Sequence, residues 1–275
     1  MSTQAESLIK LLKKKDEAFQ KASNIFAFTS GKGGTGKTFV SLNLARMLSQ
    51  MNWKVLFIDF DSNLANADIL LNKTPAGTIV EFFTNQKKFK NVITRIDEKF
   101  DCIFGESGLN DFPKLTENLI KQFLQNVNTI SSEYDFIFID TGAGLNNEII
   151  QLLNGVANIV FVVNPEPTTI IDAYAVLKMT SESASKKIVI INSVFSAEEA
   201  EETFSSLLKA SIHFLKIKII NLGFVNFEKQ IRQSIVEQKL FVSYFKQSMA
   251  FKQFETIAAK LLDIIHLANI SQSAT

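Results

Sequence analysis

A glycine-rich segment between an apolar strand and a helix constrains the fold of this chain more than any other feature. Residues 31–38 read G-K-G-G-T-G-K-T and match the pattern G-x-x-x-x-G-K-[ST] in full. The apolar run Ile25–Thr29 precedes them and a helix-like segment begins near Lys37, which is the context that the pattern requires. Four glycines let several backbone N–H groups converge on one phosphate, and the helix adds the positive end of its dipole. The segment therefore predicts a phosphate-binding loop.

Two side chains of this loop are expected to act directly on a nucleotide. Lys37 should lie against the β- and γ-phosphates, and the Thr38 hydroxyl should ligate Mg²⁺. The predicted nucleotide-binding residues of the loop are Gly31, Lys32, Gly33, Gly34, Thr35, Gly36, Lys37 and Thr38.

Three aspartates at strand ends are the expected partners of the loop. Asp140 closes the apolar run 136–139, where a carboxylate can bond a water on Mg²⁺. Asp59 closes the run 55–58, and Asp61 lies two residues further, where a carboxylate could orient the attacking water. A helix cap or a turn is the alternative role for Asp59 and Asp61. The predicted metal site consists of Thr38, Asp59 and Asp140.

Apolar strand candidates alternate with helix-period segments along the chain. The strand candidates are Ile25–Thr29, Val55–Asp59, Cys102–Gly105, Phe136–Asp140, Ile159–Val163, Ile188–Asn192 and Ile217–Phe224. The helix candidates are 37–50, 115–131, 146–157, 168–183, 197–213, 230–238 and about 247–267. Because the strands are apolar throughout, the pattern predicts an α/β fold with a doubly wound, mostly parallel sheet and helices on both faces. The alternation of strands and helices is least clear over residues 72–100, where a solvated loop is predicted at residues 87–90.

A further helix is predicted over residues 3–22, before the main domain. Thr3 and Glu6 fit a capping box, and the apolar side chains recur at helical spacing. This apolar stripe consists of Ala5, Leu8, Ile9 and Leu12. The predicted organisation is an N-terminal amphipathic helix (1–23), a nucleotide-binding domain (24–267) and a short tail (268–275). The alternative is that this helix packs on its own domain.

Composition excludes several other classes of function. Twenty-nine basic residues balance 28 acidic ones and only three are arginines, so no nucleic-acid partner is expected. A single cysteine, Cys102, rules out intrachain disulfides and cysteine-clustered zinc sites. No apolar run approaches the ~18–20 residues that a membrane-spanning helix requires. The expected location is the cytoplasm, with the inner face of the cell membrane as the alternative.

Lys32, directly after the first glycine, resembles the deviant Walker A box of the MinD/ParA ATPases. Residues 59–61 resemble that family's switch I, residues 140–144 resemble its Walker B and switch II, and residues 164–167 with 172–173 resemble its next sequence block. The resemblance implies a MinD-like P-loop NTPase fold and ATP hydrolysis with Mg²⁺ in an ATP-dependent homodimer. In such a dimer Lys32 reaches the partner's nucleotide, and the implied catalytic residues are Lys32, Lys37 and Asp61. Asn192 lies where family members contact adenine. The expectation that the nucleotide is ATP rather than GTP rests on this resemblance.

Within the family, the chain resembles the flagellar number regulators, known as FlhG or YlxH. Gln4-Ala5-x-x-Leu8 is similar to their activator helix, which stimulates the signal-recognition-type GTPase FlhF, although Thr3 stands where they have Asp. Residues 105–108 and 140–145 also resemble this subgroup. The resemblance implies regulation of flagellar number and placement by contact with FlhF through residues 1–22, with flagellar basal-body components as further partners.

Two alternatives remain open at this point. The chain could be another MinD/ParA-type ATPase that positions the division site or a cargo, or an adaptor that binds nucleotide without hydrolysing it. Membrane contact is expected to be weak or absent, because the last predicted helix resembles a domain-packing element and carries no basic residue beyond Lys260.

Overall fold

The computed structural model describes residues 21–61, 67–106, 113, 115–144 and 146–273, with side chains to residue 266. In this part of the chain, eight strands form one sheet in the order β3-β4-β2-β5-β1-β6-β7-β8. The strands are β1 (Ile25–Thr29), β2 (Val55–Phe60), β3 (Thr94–Arg95), β4 (Phe100–Ile103), β5 (Phe136–Thr141), β6 (Asn158–Val163), β7 (Lys186–Val194) and β8 (Ile220–Asn226). Strand β3 is antiparallel to β4, and the other paired strands are parallel. The predicted doubly wound, mostly parallel sheet is confirmed.

Helices cover both faces of the sheet. They are α1 (Lys37–Gln50), α2 (Ala67–Leu71), α3 (Ile79–Phe83), α4 (Glu117–Thr129), α5 (Asn147–Gly155), α6 (Pro167–Met179), α7 (Ala197–Ala210), α8 (Lys229–Val236), α9 (Phe241–Tyr244) and α10 (Met249–Ser273). Short 3₁₀ turns occupy Phe89–Val92 and Ser131–Glu133, and a π-helical turn occupies Ser211–Leu215. Helices α3 to α7 pack on one face, whereas α1, α9 and α10 pack on the other.

Strands β1 and β5 bury aromatic side chains on one face of the sheet and aliphatic ones on the other. In β1, Phe26 and Phe28 point toward α1 and α10, and Ile25 and Ala27 point toward α4 to α6. Strand β5 repeats this alternation, and Phe28 lies 4.8 Å from Phe138 between ring centroids. Successive side chains of a strand point to opposite faces, so an apolar residue at every position buries both faces of the sheet. Because these strands are buried along their length, the polar residues lie in the loops at the strand ends.

The region 72–100 departs from the prediction. The solvated loop predicted at 87–90 is only partly correct: Lys88 and Lys90 are exposed, whereas Phe89 is only 4% exposed and begins a 3₁₀ turn. Its ring packs against Phe82 at 5.1 Å and Phe123 at 6.0 Å between centroids. The antiparallel strand β3 and the helices α2, α3 and α9 were also absent from the prediction, since none is long enough to show a clear period.

Strands β4 and β8 start two or three residues away from their predicted first residues. Strand β4 begins at Phe100, which pairs with Val55 of β2. Asp101 interrupts the apolar pattern, and its carboxylate accepts a hydrogen bond of 2.8 Å from the Tyr134 hydroxyl. Strand β8 begins at Ile220 because the chain after α7 continues as a π-helical turn. Lys216, with φ of 59°, ends that turn in the left-handed region.

The helix predicted over residues 3–22 lies outside the described residues except for Lys21 and Ala22, which are not helical. The predicted domain division stays a prediction. Cys102 is buried in β4, as its apolar neighbours indicate. Among the helices that the structure describes, none has the length and apolar character needed to cross a membrane.

Candidate nucleotide-binding site

The loop 31–38 leaves the carboxyl end of β1, at the centre of the sheet, and enters α1. Gly34 and Gly36 have φ values of 82° and 80°, which residues with a side chain rarely adopt. A Cβ at Gly36 would lie 2.4 Å from Asn192 Nδ2, and a Cβ at Gly31 would lie 2.3 Å from Asp172 Cβ. The loop is therefore packed closely between the end of β7 and the start of α6.

Lys37 and Thr38 meet Asp140 at the end of the neighbouring strand β5. Lys37 Nζ donates to Asp140 Oδ1 at 2.9 Å, and the Thr38 hydroxyl donates to Asp140 Oδ2 at 2.6 Å. The Lys37 side chain is 6% exposed and that of Asp140 is fully buried. The structure thus brings together the predicted phosphate-binding lysine and two of the three predicted metal ligands.

Asp59 lies directly beside Asp140, because β2 pairs with β5 in a register that sets the two residues opposite each other. Asp59 accepts backbone hydrogen bonds from Asp61 at 3.2 Å and Ala67 at 3.3 Å. Burial, followed by the charge of Asp140, raises the pKa of Asp59 to about 7, although these hydrogen bonds and Lys37 act in the opposite direction. A divalent cation would remove this penalty, since it favours the ionised form of both carboxylates.

Asp61 follows β2 at the same edge of the sheet. A Cβ at Gly142, just after β5, would lie 3.5 Å from Asp61 Oδ1. The Asp61 carboxylate therefore faces the chain that follows Asp140. This places all three predicted aspartates at the carboxyl ends of two adjacent strands.

Lys32 points away from this cluster. Its Nζ donates to Glu166 Oε2 and to the Thr168 hydroxyl, each at 2.9 Å, at the start of α6. The side chain is 36% exposed. Sequence reasoning assigned no role to Glu166 or Thr168. Glu166 lies within residues 164–167, which resemble a block of the MinD/ParA family, and Thr168 follows that block directly.

Asn192 contacts the loop backbone. Its Nδ2 donates to the carbonyl oxygen of Thr35 at 2.8 Å. In the amide orientation that satisfies both of its polar groups, Asn164 donates to the same oxygen at 3.0 Å and to the Asn192 carbonyl at 3.2 Å. The two amides thus fix the loop conformation. The predicted contact of Asn192 with adenine stays a prediction.

The loop has features that fit a bound phosphate. The Thr35 hydroxyl is buried and has no hydrogen-bond partner within the described residues. A Cβ at Gly33 or Gly34 would meet open space, so no described residue covers this part of the loop. Together with the Thr38–Asp140–Asp59 group, the residues present fit a nucleotide phosphate with Mg²⁺.

Known proteins are similar in sequence to most of this chain. A family model described as an AAA domain matches residues 23–182, which is more than half of the chain. The antiactivator FleN of Pseudomonas aeruginosa is 28% identical over 239 residues, which is 86% of this chain and 85% of FleN. The flagellum site-determining protein YlxH of Helicobacter pylori is 29% identical over 268 residues, or 95% and 91% of the two chains.

A solved structure supports the same assignment at the level of the fold. The septum site-determining protein MinD of Pyrococcus horikoshii, solved with Mg-ADP, has a TM-score of 0.74 at 23% identity. The match covers 86% of this chain and 95% of that protein. With its loop, its strand-end aspartates and its Lys32, the chain belongs to the AAA-domain family as a P-loop ATPase of the MinD/ParA type.

Proposed function

We propose that this protein binds ATP with Mg²⁺ and hydrolyses it to ADP and phosphate. The observation that carries this proposal is the convergence of Lys37, Thr38 and Asp140 beside the buried Asp59. A buried pair of carboxylates is costly unless a cation offsets it. A site that binds only phosphate would not need Asp59.

The roles follow from these contacts. The loop N–H groups and Lys37 bind the phosphates, and Lys37 also forms an ion pair with Asp140. Thr38, Asp140 and Asp59 are the residues that would hold Mg²⁺, which neutralises charge on phosphate oxygens when it is bound. Asp61 orients the attacking water from the end of β2.

Phosphate release under steady-state conditions tests this proposal. Lys37→Ala is expected to lower ATP turnover by at least about 10²-fold, because preorganised charge on the phosphates is lost. Lys90→Ala is the matched control, since Lys90 is an exposed lysine remote from the loop and paired with Glu133. If the wild type releases no more phosphate than Lys37→Ala, the chain is a nucleotide-bound adaptor and not an enzyme.

The proposed active form is an ATP-dependent homodimer. In this dimer Lys32 of one subunit contacts the phosphates bound in the other and stabilises charge on the transferring group. The contacts of the two lysines support this proposal. Lys37 is buried and pairs with Asp140 beside the loop of its own subunit, whereas Lys32 pairs with Glu166 at the surface.

The proposed biological role is regulation of flagellar number and placement. FleN and YlxH, whose names refer to an antiactivator and to a flagellum site determinant, match this chain over most of its length. We propose FlhF as the partner GTPase, contacted through residues 1–22, and basal-body components as further partners. The support for residues 1–22 is the similarity of Gln4-Ala5-x-x-Leu8 to an activator helix.

A synthetic peptide of residues 1–22 is expected to raise the GTP turnover of FlhF. An apolar helical stripe binds by inserting into a groove on its partner. A peptide carrying Leu8→Asp and Leu12→Asp keeps the length and basic charges and serves as the control. If neither the peptide nor the full-length protein changes GTP turnover, this partner assignment is wrong.

A further inference from the structure

We propose that the outer edge of strand β8 binds an extended segment of a partner protein, in which basic side chains alternate with acidic ones. The binding surface is a groove of about 800 Å³ between helices α7 and α10, with the edge of β8 as its floor. Strand β8 lies three positions from β1 in the strand order, and β1 carries the phosphate-binding loop. The β8 groove is therefore separate from the candidate nucleotide-binding site.

The outer edge of β8 has no strand partner among the described residues, because β8 is the last strand of the sheet. The Phe227 N–H donates to the Val194 carbonyl of β7, whereas the Asn226 N–H donates to Gln253 Oε1 at 2.8 Å. Gln253 Nε2 donates back to Asn226 Oδ1 at 2.7 Å. No other described side chain bonds the backbone of residues 220–225, so the edge remains available before Asn226.

The sequence of β8 does little to protect this edge. Natural sheet edges are commonly protected by charged residues, by proline or by a bulge. Strand β8 reads I-N-L-G-F-V-N and contains neither a charged residue nor proline. Its register against β7 shifts between Val189 and Ile190, near the start of the strand, but residues 223–225 pair with β7 without interruption. The middle of the edge can therefore accept another strand.

The two walls of the β8 groove carry opposite charges. Helix α7 contributes carboxylates at helical spacing, and helix α10 contributes ammonium groups. The five charged side chains are Glu198, Glu201, Glu202, Lys252 and Lys260, and all five are exposed. None of them forms an ion pair within the described part of the chain. Each wall can therefore bind side chains of the opposite charge.

The position of the walls determines what kind of segment fits. Helix α7 packs on one face of the sheet and α10 packs on the other. A strand added to β8 continues the sheet, so its successive side chains point alternately toward α7 and toward α10. Basic side chains at every second position then meet the glutamates, and acidic side chains between them meet the lysines. Main-chain hydrogen bonds to β8 provide affinity, and the alternating charges provide specificity.

A short synthetic peptide tests this surface on the full-length protein. The probe is a capped, fluorescent peptide of sequence Lys-Glu-Val-Thr-Lys-Glu-Val, which has no net charge and carries lysine and glutamate on opposite faces when extended. One control, Lys-Lys-Val-Val-Thr-Glu-Glu, has the same composition but mixes the charges on both faces. A second control is the probe with every backbone nitrogen methylated, which removes its main-chain donors.

Fluorescence anisotropy is expected to show binding of the probe by the wild type. Both control peptides should bind at least about ten-fold more weakly, because one loses its charge contacts and the other its main-chain hydrogen bonds. Equal binding of the three peptides overturns the proposal. Absence of probe binding at about 1 mM, a concentration that detects even weak complexes, also overturns it.

Charge reversal on one wall at a time tests the assignment of the two walls. Glu201→Lys with Glu202→Lys, and Lys252→Glu with Lys260→Glu, should each weaken probe binding by roughly ten-fold, because ion pairs become like-charge contacts. Combining all four changes should restore binding to within about two-fold of the wild type. A shift of one residue in register turns every side chain of the added strand to the opposite face, so the same probe fits the reversed walls.

These four residues are exposed, so the variants are expected to fold and to melt near the wild-type temperature. Unchanged binding in both double variants overturns the proposal. A fourfold variant that binds the probe no better than the double variants overturns it as well, because the loss would then not reflect complementary charge.

Two other occupants of the groove would give different results. If a second copy of this chain fills the groove, light scattering shows self-association of the nucleotide-free wild type that is lost in both double variants. If residues 1–20 of this chain fill it, a synthetic peptide of residues 1–22 displaces the probe from the wild type. Either result overturns the assignment of the β8 groove to a partner protein.

Discussion

Asp61→Ala is expected to slow ATP hydrolysis by about 10²-fold or more while ATP binding is retained and the dimer accumulates. A residue that positions or deprotonates the attacking group contributes on the order of 10²–10⁴-fold. Asp61 lies at the end of β2 facing Gly142, apart from the Lys37–Thr38–Asp140 contacts. Its loss should therefore spare phosphate binding. Phosphate release and light scattering with ATP measure the two effects on the same sample.

Lys32→Ala provides the contrast to this variant. This variant should bind nucleotide through Lys37 and the loop backbone, but it should neither dimerise nor hydrolyse ATP efficiently. Asp263→Ala, an exposed change on the remote helix α10, is the control for both variants. If Asp61→Ala stays monomeric while the wild type hydrolyses ATP as a monomer, the dimer mechanism does not apply to this protein.

Asp59→Asn is expected to stabilise the nucleotide-free protein and to weaken its response to Mg-ATP. The variant removes a buried carboxylate that faces Asp140, and an amide oxygen can still accept from the backbone of Asp61 and Ala67. At pH 8 the gain in unfolding free energy should be on the order of 1–3 kcal/mol. Thermal denaturation in the presence of a chelator measures this gain.

The raised pKa of Asp59 determines how the unfolding free energy changes with pH. The pKa of Asp59 is about 7 in the folded protein and about 4 in an unfolded chain. The folded state binds the extra proton between these values, so this residue lowers the unfolding free energy as the pH rises from about 4 to about 7. The gain in unfolding free energy from Asp59→Asn should be largest above pH 7 and should disappear near pH 4. An Asp59→Asn variant that is less stable than the wild type at pH 8 would contradict the prediction.

Local sequence accounts for much of the candidate site. The loop 31–38 carries its own conformational requirements, and φ values near 80° at Gly34 and Gly36 show why glycine stands there. Asp59 and Asp140 were recognisable because each closes an apolar strand. Parallel strands of one sheet present their carboxyl ends at one edge, so local patterns were sufficient to predict that these residues meet.

Contacts between distant segments were decided by the tertiary structure alone. The register of β2 and β5 sets Asp59 opposite Asp140, and that juxtaposition, with burial, shifts the pKa of Asp59. Lys32 and Glu166 are 134 residues apart, and no local period could pair them. The burial of Phe89 likewise depends on Phe123, which reaches it from another helix.

The sequence by itself therefore determined the loop, the strand-end carboxylates and the alternation of strands and helices, because each is encoded within a short window of residues. Only the tertiary structure decided which side chains share a hydrogen bond, which charges are buried together and where Lys32 points. Those properties depend on strand order, register and helix packing, and these arise when segments far apart in the chain are brought together.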